Sequence, residues 1–112
     1  MAIKIVISDT VGFKVKGTIN DAAGVAQPFD FGLTAKRLTN EQIDTKLGGD
    51  FTEPSILAFM ADITEGWSAV RGDDDKPLAY SEENLRELCK IPGLLFLAFK
   101  CYREETGVKA KN

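Results

Sequence analysis

Residues 12–36 read GFKVKGTINDAAGVAQPFDFGLTAK. Apolar or small side chains occupy alternate positions in both halves: Phe13, Val15, Gly17 and Ile19, then Phe29, Phe31, Leu33 and Ala35. Successive strand residues point to opposite faces, so this alternation predicts two strands, each with one buried face. Residues 20–28, with Gly24 and Pro28, form a loose connection between them. Upstream, Ile3, Ile5 and Ile7 repeat the same period, and residues 9–12 are short enough for a hairpin turn. The expectation is an N-terminal three-stranded antiparallel β-meander within residues 1–37.

One apolar face must be covered, and the rest of the chain supplies about four helices to pack on it. LTNEQIDTKLGG (38–49) carries Thr39 as N-cap with Gln42 three residues on, a capping box, and Leu38 with Ile43 as a hydrophobic staple. TEPSILAFMADITEGW (52–67) has Thr52 as cap and Pro54 in its first turn. It sets Ile56, Phe59, Met60, Ile63 and Trp67 on one helical stripe, with Gly66 as the stop. In YSEENLRELCKIPG (80–93), Ser81 caps and Glu82 and Glu83 favour the positive end of the helix dipole. Pro92 and Gly93 break the chain before a last helix, LLFLAFKCYREETG (94–107). The fold class is therefore α+β, read as a single domain over 1–112: a sheet part at 1–37, a helical part at 38–107, and a frayed tail at 108–112.

Composition narrows the function. Fourteen basic against seventeen acidic residues give a net charge of −3, which leaves no positive excess to neutralise a phosphate backbone and argues against nucleic acid. The N-terminus lacks the pattern of a secretory signal. LLFLAF (94–99) is far below the roughly 20 residues that cross a bilayer, so the expectation is a cytoplasmic protein with no membrane partner. With no histidine and two cysteines, Cys89 and Cys101, a zinc site lacks ligands and a disulfide framework is not indicated. The Arg-Gly-Asp at 71–73 and the Asp-Asp-Asp-Lys at 73–76 read as a surface turn between Trp67 and Tyr80. The twelve-residue calcium-loop pattern is missing there.

Nor is there a catalytic signature. A Ser or Cys nucleophile has no histidine beside it, the glycines match no phosphate-binding motif, and adjacent carboxylates such as Glu82 and Glu83 diverge on a helix. No cofactor and no enzymatic activity are expected. The feature above background is the last helix, whose apolar run covers more than a full turn, so some of it must be enclosed or exposed. The candidate partner-binding residues are Trp67, Leu94, Leu95, Phe96, Phe99 and Tyr102, since aromatic anchors are favoured at interfaces.

The order Trp67, Val70, GDDDKP (72–77), Tyr80, SEENLRELC (81–89), IPG (91–93) and LLFLAFKCYRE (94–104) resembles the tail assembly chaperones of long-tailed bacteriophages and prophages. The resemblance spans residues 64–106 and lies in the order of motifs. It implies a non-enzymatic protein of the bacterial host cytoplasm that binds the tape measure protein and keeps it soluble until the tail tube polymerises. It also implies a homo-oligomer as a second way to bury apolar surface, and a longer form made by ribosomal frameshifting. Two other readings stand beside it: a minor structural tail or head–tail component, and a small enzyme using Asp, Glu or Lys.

Overall fold

The computed structural model describes residues 2–3 and 8–108. Its elements follow the order β1 (Thr10–Asn20), β2 (Ala26–Lys36), α1 (Asn40–Leu47), α2 (Glu53–Ile63), β3 (Thr64–Ser68), α3 (Glu82–Leu88) and α4 (Leu94–Thr106). This is the α+β class, with a three-stranded antiparallel sheet in the order β1-β2-β3 and four helices.

β1 and β2 pair along their whole length, from Thr10 opposite Lys36 to Asn20 opposite Ala26. That register sets Val11 against Ala35, Phe13 against Leu33, Val15 against Phe31 and Gly17 against Phe29. All the odd-numbered members except Gly17 and Phe29 are buried, while the even-numbered Lys14, Lys16, Asp30 and Lys36 stay exposed. The helices therefore cover one face, as the period of two requires. Asp21 closes the hairpin: its carboxylate accepts from the backbone N–H groups of Ala23 (2.9 Å) and Val25 (3.0 Å) and from Gln27 Nε2 (2.9 Å). Gly17 is needed where it stands, because a Cβ there would lie 2.7 Å from the Phe29 ring and 3.2 Å from Leu97.

The third strand comes from a different place than the alternation suggested. Ile5 and Ile7 lie outside the described residues, Ile3 is exposed and outside any strand, and residues 10–12, expected as part of a turn, belong to β1. The partner on the other side of β2 is β3, which pairs Gly32 with Ser68, Leu33 with Trp67, Thr34 with Gly66 and Ala35 with Thr64, through a bulge. Helix α2 thus stops at Ile63, and Trp67 lies on a strand rather than on the helical stripe. Thr64 takes up extended backbone (φ −76°, ψ 132°), the run Thr-Glu-Gly-Trp-Ser favours strand over helix, and β2 offers it a free edge.

Three helix starts obey their local chemistry. Thr39 and Gln42 form the reciprocal capping box of α1, Ser81 Oγ accepts from the Asn84 N–H at α3 (3.1 Å), and Gly93, at φ 82°, swings the chain into α4. At α2 the Thr52 hydroxyl makes no backbone cap; Asp50 instead accepts from the Thr52 N–H (3.0 Å) and the Ser55 hydroxyl (2.6 Å). α4 packs against β1 and α2. Tyr102 ends this packing, with its ring edge-on to Phe13 and Phe59 at centroid distances of 5.8 and 6.0 Å.

Candidate partner-binding groove

The six residues proposed from sequence separate by depth. Leu94, Leu95 and Tyr102 lie in the core, with Tyr102 wholly inaccessible. The Tyr102 hydroxyl donates to Lys36 O (2.8 Å) and accepts from the Leu38 N–H (3.3 Å), pinning α4 to the end of β2. Phe99 is half-buried, edge-on to Phe59 at 5.7 Å and below the Arg103 guanidinium at 5.8 Å. Trp67 packs edge-on against Tyr80 at 5.2 Å, and its indole N–H donates to Leu78 O (2.8 Å). Phe96 alone of the six projects into solvent, 46% exposed. Helical geometry explains the split: Leu95, Ala98 and Tyr102 recur at core-facing spacing, and Phe96 falls on the opposite side.

The acidic loop has a structural part. Arg71 and Pro77 form a bridge, Gly72 N–H donates to Lys76 O (3.0 Å) and Leu78 N–H to Val70 O (2.9 Å), making a tight surface hairpin. Tyr80 OH donates to Thr64 O (3.0 Å), so this excursion is tied back to β3 at its base. Burial pushes the Tyr80 phenol above its ordinary pKa, which keeps the donor protonated through the neutral range.

An apolar concavity lies elsewhere, where the β1–β2 hairpin overhangs the α3–α4 turn. Two adjoining hollows of about 200 Å³ each share Ile19, Phe29, Ile91 and Leu94. One continues past Gly17 to Leu97, the other past Phe31 to Val70 and Leu88. Ile19 is 49% exposed and Ile91 37% exposed at its rim. The walls are mostly apolar, with Arg71 the one charged side chain lining them. Such a groove can take up apolar side chains of another molecule.

Sequence reading missed most of this site. Ile19 reads as one more inward strand residue, yet the helical layer does not extend beneath it. Ile91 reads as part of a Pro-Gly break, yet the break delivers it to the rim. Only Leu94 of the proposed set lines the groove. Among the described residues no three His, Cys, Asp or Glu side chains gather to hold a metal ion, and no helix is long and apolar enough to cross a membrane. Compared with protein-family models, with curated proteins and with solved structures, the chain finds no match in any of the three.

Proposed function

We propose that this protein is a non-enzymatic phage tail assembly chaperone that binds the tape measure protein in the bacterial cytoplasm and keeps it soluble until tail tube subunits displace it. The observation that carries the reading is the open apolar groove between the hairpin end and the α3–α4 turn. A holding protein needs apolar surface that is stable when empty and released when a competitor arrives. Support also comes from where the groove is built: Val70, Leu88, Ile91, Leu94 and Leu97 all belong to the segment that resembles the chaperones. Phe96 and half-buried Phe99 extend the apolar surface on α4.

The test is co-expression with the tape measure protein of the phage or prophage that encodes the chain, then affinity capture and sizing. A soluble complex that is lost with Ile19→Asp and Ile91→Asp, both folded by thermal melting, is the expected result. No capture by the folded wild type, together with the protein's presence in purified virions, would overturn it in favour of a structural tail component.

A further inference from the structure

The backbone beside the groove is as informative as its side chains. Two hydrogen bonds bracket the β1–β2 ladder: Asp21 N–H to Val25 O (3.0 Å) and Arg37 N–H to Asp9 O (2.8 Å). Both join odd-numbered residues, and antiparallel pairs alternate between bonded and non-bonded, so the odd residues of β2 direct their N–H and C=O groups at β1. The even residues direct theirs to the other side, where Gly32 and Thr34 meet Ser68 and Gly66 of β3.

β3 then runs out. Ser68 is its last residue, and Ala69, held at φ 60°, turns the chain away from the sheet. Ala26, Pro28 and Asp30 of β2 face the same side, with no strand opposite them among the described residues. Their three carbonyls and the N–H groups of Ala26 and Asp30 form an open edge, with Pro28 contributing no donor. The hollow lined by Phe29, Phe31, Val70 and Leu88 lies along this edge.

We propose that the groove binds its partner as an extended strand: a segment of the partner polypeptide, apolar at alternate residues, continues the line that β3 leaves and pairs with the β2 edge at residues 26–30. Its inward side chains enter the hollow beside Phe31, Val70 and Leu88, and its outward ones join the polar face carrying Lys14 and Asp30. The backbone supplies hydrogen bonds that a helix, whose amides are satisfied internally, cannot return, which is why the occupant is a strand. This rests on the reading of the groove as a protein-binding site and specifies the form of the ligand.

The probe is a blocked nine-residue peptide with valine at alternate positions and threonine or lysine between, titrated into the full chain and followed by NMR and amide exchange. Binding should slow exchange of the Asp30 amide at least tenfold and leave the amides of Phe29 and Phe31, already bonded to β1, unchanged. N-methylating one alternate set of peptide amides should weaken binding at least tenfold while the other set does not. Asp30→Pro, whose lost N–H makes no bond to β1, should keep the fold and lose tenfold or more in affinity. Equal sensitivity of both methylated sets, or groove side chains responding while the Asp30 amide does not, would overturn the strand mode. So would an Asp30 amide already protected in the free protein alongside a dimeric mass, which would assign the edge to a second copy. Capture of the tape measure protein unaffected by Asp30→Pro would reject this inference and leave the chaperone reading standing; failed capture with strand-like peptide binding would do the reverse.

Discussion

Tyr102 shows how one side chain near the end of an apolar run can hold two layers together. Its hydroxyl satisfies Lys36 O and the Leu38 N–H from a site with no solvent access. Tyr102→Phe should therefore cost about 1–2 kcal/mol in urea denaturation, chiefly by leaving those backbone groups without a partner. Phe96, six residues earlier and exposed, should tolerate Asp within about 0.5 kcal/mol, whereas Leu95→Asp should unfold the chain by placing a charge in the core. Thr64 presents the opposite case, since its buried hydroxyl has no hydrogen-bond partner. Thr64→Val keeps the branched shape and should stabilise by about 1 kcal/mol in the same assay. Cys89 links burial to pH. Desolvation pushes its thiol from 9.0 up to about 11, against a smaller opposing pull from Arg86. A raised folded pKa favours the neutral form, so its contribution is complete below pH 9 and is lost as pH climbs towards 11. Urea midpoints should fall across that window, and the fall should be smaller in Cys89→Ala.

At the scale of elements, the local signals succeed where the chemistry is local. The capping box at Thr39, the cap at Ser81 and the alternation along β1 and β2 each involve residues within a few positions, and each forms as its sequence specifies. The end of α2 could not be read this way. Residues 64–68 continue a plausible helical stripe, and only the free edge of β2 beside them makes a strand the better solution. The hairpin gives the clearest element-scale prediction. Gly17→Ala would set a methyl group against Phe29 and Leu97 and should cost about 1–3 kcal/mol as an overpacked contact. NMR shifts should appear at Ile19 and Ile91, because Phe29 forms the shared wall of the groove.

For the molecule as a whole, α4 packs on both the sheet and α2, so the two layers share one core. Urea unfolding followed by tryptophan fluorescence, which reports Trp67 on β3, and by far-ultraviolet circular dichroism should give coincident transitions. Separate transitions would mean that the β1–β2 hairpin melts alone.

The sequence by itself determined the α+β class, the register-setting alternation of residues 12–36 and the places where all four helices start, because period and capping are properties of neighbours along the chain. The tertiary structure decided which segment became the third strand, which apolar residues stayed uncovered, and where the groove opened. Those outcomes depend on how far the helical layer reaches along a long hairpin and on where β3 leaves the β2 edge. They are distances between elements remote in sequence, which no local pattern encodes.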